Sequence, residues 1–148
     1  LKPEIRIAKK EELPNLLALE KLCFKEETFH KKQLRYLLLN AKSLVLVASA
    51  DDKIIGSMIV LLRENILQAR VYSLNVHPSY RRMGIGKLLM DTALGSLKER
   101  GFRKFTLETG INNMAARNLY ESKGFSVDKI LRNYYKNGDD ALHFTKNL

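Results

Sequence analysis

The sequence is short of several things. Its 148 residues hold one cysteine, three prolines and no tryptophan. A single cysteine, Cys23, excludes a disulfide within the chain, which accords with a reducing compartment. Cys23 falls in an apolar helical run and reads as a buried structural thiol rather than a nucleophile. The longest apolar stretches are LVLVASA and IIGSMIVLL, the second broken by Gly56 and Ser57. Neither reaches the roughly 18 residues of a membrane span. The opening, LKPEIRIAKK, lacks the apolar core of a signal peptide. The expectation is a soluble, cytoplasmic protein with no membrane partner. No repeat, low-complexity tract or linker divides the chain, so residues 1–148 are expected to form one domain with one substantial core.

Charge is one-sided. Lysine and arginine number 26 against 16 acidic residues, a net charge of +10. That balance implies an anionic partner (a phosphorylated cofactor, acidic peptides or RNA) or simply a solvated surface, and charge alone does not choose. No block of five like charges occurs, and no basic motif is interleaved with aromatics, so nucleic-acid binding is a secondary hypothesis. His30, His77 and His143 have no metal-ligand spacing, and the sequence assigns them no role.

What is present is a regular alternation of elements. Glu4 to Ala8 reads as a short strand. Leu16, Leu19 and Cys23 repeat at helical spacing within Glu11 to Phe24, and Leu34, Leu37 and Leu38 mark a second helix after Thr28. Ser43 to Ala50 and Lys53 to Leu62, rich in Val and Ile, meet at Asp51-Asp52 as a hairpin. Ile66 to Val76 is another strand. Gly84 opens a helix whose Met90, Ala93, Leu94 and Leu97 share a face, and Gly101 ends it. A strand over Arg103 to Thr109, a helix over Asn113 to Lys123 and a strand over Phe125 to Leu131 follow. Asn137-Gly138 then predicts a tight turn into a last strand near Ala141 to Thr145. The order β-α-α-β-β-β-α-β-α-β-β is that of an α/β domain with a mixed sheet.

Between a strand and a helix stands RRMGIG, Arg81 to Gly86. A nucleotide-triphosphate loop requires Ser or Thr after Gly86-Lys87 and glycine five positions before Gly86; the chain has Leu88 and Arg81. A dinucleotide fingerprint requires a third small residue where Leu89 stands. What remains is a loop able to point successive N–H groups at one anion, at the positive end of a helix. Such a site suits a pyrophosphate without a metal.

This loop resembles the acetyl-CoA loop of the GNAT acetyltransferase superfamily. LETGINNMAARNLYESKGF, Leu107 to Phe125, is similar to that family's L-E-x-x-x-x-N-x-x-A-x-x-L-Y-x-x-x-G-F segment. NYYKNGDDALHF, Asn133 to Phe144, resembles the Y-Y-x-x-G-E-D-A ending of the RimI-like protein N-terminal acetyltransferases, and LEKLCF is similar to their first helix. The resemblance implies a GNAT fold, with about seven strands in a mixed sheet flanked by about four helices. It implies acetyl-CoA as cosubstrate, no metal, and protein or peptide N-termini as acceptors, ribosomal proteins among them. By position, main-chain amides of Leu74, Asn75 and Val76 would bind the pantetheine arm. Those of Arg82, Met83, Gly84, Ile85, Gly86 and Lys87 would hold the pyrophosphate. Asn113 would contact CoA, a role compatible with capping its helix.

The resemblance also implies the chemistry. Glu108 matches a general base, although a carboxyl near pKa 4.3 suits that task only with burial or a relaying water. Tyr120 matches a tyrosine beside the cofactor sulfur. A phenol near 10 donates to a thiolate near 8.5 at a cost of roughly 2 kcal/mol, so Tyr120 would assist by hydrogen bonding more than by proton transfer. Tyr134 and Tyr135 would line a peptide groove opposite Glu26 and Glu27. A tryptophan common in that second wall is absent, which leaves lysine side chains or a small amine as alternative acceptors. A non-catalytic module binding CoA or ribosomal RNA is the rival from outside enzymes.

Overall fold

A computed structural model describes residues 2–23, 31–39 and 42–148. Glu26, Glu27 and His30 lie outside the described residues. Strand β1 (Glu4–Ile7) leads through a 3₁₀ turn at Lys10–Glu12 into helix α1 (Leu13–Cys23). The Glu12 carboxylate accepts the Lys9 N–H at 2.8 Å and two bonds from Arg6 of β1 at 2.7 and 2.8 Å. The α-helix accordingly starts at Leu13 rather than at Glu11. Helix α1 buries Leu13, Leu16, Leu19 and also Glu20. Helix α2 (Lys31–Leu39) buries Leu34 and Leu37, and both helices cover one sheet face at Val45, Val47 and Ile59.

Strands β2 (Ser43–Ala50) and β3 (Lys53–Arg63) form the expected hairpin, with Asp51 and Asp52 both in the left-handed region at φ 50° and 61°. That geometry matches the right-handed strand twist, and aspartate tolerates it. Strand β4 begins only at Gln68 and runs to Val76, because Glu64–Ile66 make a 3₁₀ turn. Helix α3 (Ile85–Glu99), strand β5 (Lys104–Gly110), helix α4 (Met114–Ser122), β6 (Ser126–Leu131) and β7 (Ala141–Asn147) complete the chain. Leu89, Met90, Ala93 and Leu97 of α3 are fully buried against Met58, Val60, Phe105 and Phe144 on the opposite sheet face.

The seven strands lie in the order β1-β2-β3-β4-β5-β7-β6. Only β4 and β5 are parallel, and they pair over three positions alone: Gln68 with Lys104, Ala69 with Phe105, Arg70 with Thr106. Between Ile59–Ser73 and Val60–Val71 the β3–β4 register shifts, leaving Tyr72 as an extra residue. Such a bulge bends its strand. Beyond Arg70, β4 follows β3 and leaves β5, so a gap opens between residues 71–76 and 107–110.

The last connection differs from its sequence reading. Asn137-Gly138 does not join two strands directly; residues 132–140 lie between β6 and β7. The turn is internal to this segment, which folds on itself. Asp139 O accepts the N–H groups of Tyr134 and Tyr135 at 3.0 and 3.1 Å, and Asp140 accepts from Arg132 and Asn133.

Candidate active site

The gap has two unlike walls. On the β4 side, residues 71–76 bond to β3 along one edge and have no strand along the other. Main-chain groups on an edge without a strand require other partners, and the Val76 carbonyl oxygen accepts from Arg81 Nε at 3.3 Å. The loop that follows carries Arg82 and Gly84 in the left-handed region, at φ 65° and 78°. Alternating left- and right-handed residues turn successive N–H groups toward one point, which is an anion-binding geometry. Gly84 is the N-cap of α3 and makes no side-chain cap bond, so the first helical amides stay open. Close docking of this helix end depends on Gly56. A Cβ there would stand 3.0 Å from Ile85 Cγ2 and 3.1 Å from the Asn75 carbonyl oxygen. The main-chain groups of Leu74, Asn75 and Val76 and the amides from Arg82 to Lys87 thus fit an extended acyl carrier ending in a pyrophosphate. Among the described residues, no group of His, Cys, Asp or Glu is arranged to hold a metal ion.

On the β5 side the wall is made of side chains. Glu108 is nine-tenths buried and its Oε1 accepts from Arg70 Nε at 2.8 Å and Nη2 at 2.5 Å. An arginine of β4, at the mouth of the gap, thus holds the carboxyl that the sequence reading expected to need burial or a relaying water. His143 of β7 stands opposite Glu108 in the sheet register, with Nε2 3.5 Å from Glu108 Oε2. Its Nδ1 lies 2.5 Å from Asp128 Oδ1 of β6. The imidazole holds the Asp128 carboxyl below its usual range. Arg70 and His143 were missed in the sequence because neither has a neighbour in the chain that signals chemistry.

Tyr134 and Tyr135 stand at the same end of the sheet. Their rings meet edge to face at 5.1 Å, and Tyr134 Oη lies 3.4 Å from Arg70 Nη2. Burial pushes the Tyr135 hydroxyl up, with Tyr134 and Glu108 adding to the shift. Tyr120 lies on the other sheet face, in α4, packed against Phe125 and Phe144 at 6.0 and 5.8 Å. Burial first, then Tyr135, pushes its hydroxyl up to about 12. Asn113 is the N-cap of α4, its Oδ1 accepting the Ala116 N–H at 3.1 Å. Cys23 is half-buried rather than buried, with Sγ 3.5 Å from the Val76 carbonyl oxygen. Burial raises its thiol, consistent with an inert role.

A second glutamate was also missed. Glu20, 1% exposed, accepts from Asn75 Nδ2 at 2.6 Å and its other oxygen has no partner; the buried Ser57 and Ser73 hydroxyls, on β3 and β4, have none either. Burial lifts its carboxyl to about 7, the Asn75 bond opposing the shift. A glutamate inside an apolar helical stripe reads in sequence as a surface position.

Comparison with known proteins agrees with this geometry. Residues 11–125 match the Acetyltransferase (GNAT) family. The chain is 33% identical over 121 residues to N-alpha-acetyltransferase 30 of Schizosaccharomyces pombe, covering 80% of this chain and 81% of that protein. Against human N-alpha-acetyltransferase 30 it is 35% identical over 111 residues, covering 73% of this chain but 31% of the longer human protein. The crystal structure of the ribosomal-protein-S18-alanine N-acetyltransferase from Escherichia coli superposes with a TM-score of 0.90 at 26% identity, covering 99% of this chain and 94% of that one. The chain therefore belongs to the GNAT family of acetyltransferases, enzymes that take their acetyl group from acetyl-CoA.

Proposed function

We propose that the protein transfers acetyl from acetyl-CoA to the α-amino group of protein N-termini. The observation that carries this reading is the placement of Glu108, beside the tyrosine pair and at the edge of the gap where β4 parts from β5. The cosubstrate supplies an activated acetyl group as a thioester. The chain's residues bind it through Leu74, Asn75 and Val76 and the amides of Arg82 to Lys87, with Asn113, the N-cap of α4, as a further contact. Glu108 accepts the proton that the acceptor amine must lose, directly or through water. An α-amine titrates near 7.8 and a lysine near 10.4, so neutralising lysine costs about 3.5 kcal/mol more. A site with a carboxylate as acceptor therefore favours α-amines.

Tyr120 assists departure of the thiolate. With its hydroxyl near 12, handing over the proton to a thiol of ordinary pKa 8.5 is uphill by about 5 kcal/mol. Its contribution is a hydrogen bond, and the deeper burial strengthens that choice over proton donation. Tyr134 and Tyr135 hold the acceptor's backbone, which selects a peptide over a small amine. Ribosomal proteins are natural acceptors to test first, since a relative of the same fold acts on ribosomal protein S18.

The test is mass spectrometry of a peptide library after incubation with acetyl-CoA. The expected product carries acetyl on the N-terminal amine. Acetyl on lysine side chains alone, or activity only on polyamines, overturns the reading.

A further inference from the structure

The Asp128–His143 contact has no place in that scheme, yet it abuts its central residue. At 2.5 Å, Asp128 Oδ1 and His143 Nδ1 must share a proton. An ordinary carboxyl is ionised where an ordinary imidazole is neutral, so the carboxylate accepts and Nδ1 carries the proton. The ring's other nitrogen is thereby left as the acceptor, and it faces Glu108 Oε2 at 3.5 Å. Glu108 Oε1 is already occupied by Arg70. A bare Nε2 and an anionic oxygen repel, so the space between them is where an added proton is stabilised.

We propose that His143, oriented by Asp128, and Glu108 act as one proton-accepting unit, with His143 a positioning residue that receives through Glu108 the proton lost by the acceptor amine. This deepens the proposed function and rests on Glu108 facing the amine. The proton leaves the ammonium nitrogen, bonds to Glu108, and passes from Oε2 to Nε2. The imidazolium then lies between two carboxylates, and charge alternates along Arg70, Glu108, His143 and Asp128. The proton leaves to solvent from a ring that remains 16% exposed. An ordinary imidazole titrates about two units above an ordinary carboxyl, so the relay brings the acceptor roughly 10²-fold closer to an α-amine in the proton-transfer equilibrium.

The groups facing His143 are accounted for on every side. Glu108 stands opposite it on β5, with Arg70 of β4 behind. Asp128 and Lys129 stand on β6, Lys129 in register with His143. Tyr134 reaches the same cluster through Arg70 Nη2, 3.4 Å from its hydroxyl, with the Tyr135 ring against its own.

The experiment is a double-mutant cycle read as kcat against pH, with wild type, Glu108→Gln, His143→Gln and the double variant, and acetyl-CoA affinity measured beside it. His143→Gln should lower kcat about 10- to 100-fold, alter the acidic limb of the profile, and leave acetyl-CoA affinity unchanged. The double variant should fall within about threefold of Glu108→Gln alone, because the two act as one unit. Asp128→Ala, a change at a more exposed site, should lower kcat about 3- to 10-fold. A His143→Gln enzyme within twofold of wild type, or losses that multiply in the double variant, overturns the proposal. A second arm needs no substrate: ring-nitrogen NMR at pH above 8, with His143 identified by its absence in His143→Gln. The expected ring is protonated at Nδ1 and loses that preference in Asp128→Ala; protonation at Nε2 alone overturns the proposal. The cycle runs on whichever amine is acetylated, so failure of α-amine selectivity is seen separately in the product's acetylation site.

Discussion

The two walls of the gap each hold a buried glutamate, and the two are not alike. Glu20, behind β4, is bonded to an amide and has an unpaired oxygen, and its carboxyl rises to about 7. Glu108, on β5, is bonded to a guanidinium and faces an imidazole. Glu20 is the more deeply buried, and the partners differ. A neutral partner in an apolar setting favours the protonated acid, and burial leads the rise at Glu20. The difference extends to the surroundings. The β4 wall presents main chain to the gap, and the β5 wall presents side chains. Changes on the first should therefore act on binding and stability, and changes on the second on turnover.

The largest expected effect tests that division directly. Glu108→Gln should lower kcat by roughly 10²- to 10⁴-fold while acetyl-CoA affinity stays within twofold, because the substitution removes proton acceptance with little change of shape. Calorimetric titration beside steady-state kinetics reads both. A parallel loss of affinity would break the contrast between the walls.

Glu20→Gln should do the reverse, leaving turnover intact and changing stability with pH. The folded-state value of about 7 lies above the ordinary 4.5. Stability linked to this group is complete below about pH 4.5 and is lost as pH rises to about 7. The loss is about 3 kcal/mol. The glutamine variant has no proton to lose, so it should be more stable than wild type by up to that amount at pH 8 and equal to it near pH 4. Urea unfolding at both pH values checks the sign. A variant less stable at pH 8 would show that Glu20 is held as an anion.

On the same wall, Gly86→Val should weaken acetyl-CoA binding roughly 10- to 100-fold, the range expected when charge-assisted amide bonds are lost. Arg82→Ala should cost less than about fivefold, as an exposed charge does. A Cβ at Gly86 also meets Leu119 Cδ2 at 3.4 Å, so thermal stability must be measured alongside to separate lost amides from a displaced α4. Equal affinities for both variants would mean that side chains, not main chain, dominate there.

The smallest effect sharpens the other wall. Tyr134→Phe with Tyr135→Phe should raise KM for a peptide about fivefold per lost hydrogen bond, each being worth on the order of 1 kcal/mol. A small amine such as spermidine, offering no peptide carbonyl, should be indifferent. Equal losses on both acceptors would assign the pair to folding alone.

Much of this was legible in the chain itself, because it is local. Asp51-Asp52 specified a hairpin through its own backbone preferences, and Gly84 marked a helix start by a conformation few other residues adopt. Met90, Ala93 and Leu97 announced the buried face of α3 by spacing, whereas Leu94, expected with them, is only partly buried and Leu89 takes a place in the core. The motif around Glu108 and Tyr120 carried the family. Tertiary structure decided which side chains meet. Arg70 reaches Glu108 across 38 positions, and Asn75 reaches Glu20 across 55. The first contact follows from the parallel β4–β5 pairing and the second from docking of α1 beside β4, which no window of sequence encodes. The insertion of β7 between β5 and β6 brings His143 opposite Glu108, and sheet order, not periodicity, sets that register. Alternation along a strand tells which face a residue takes; only the neighbouring strand tells what it meets there.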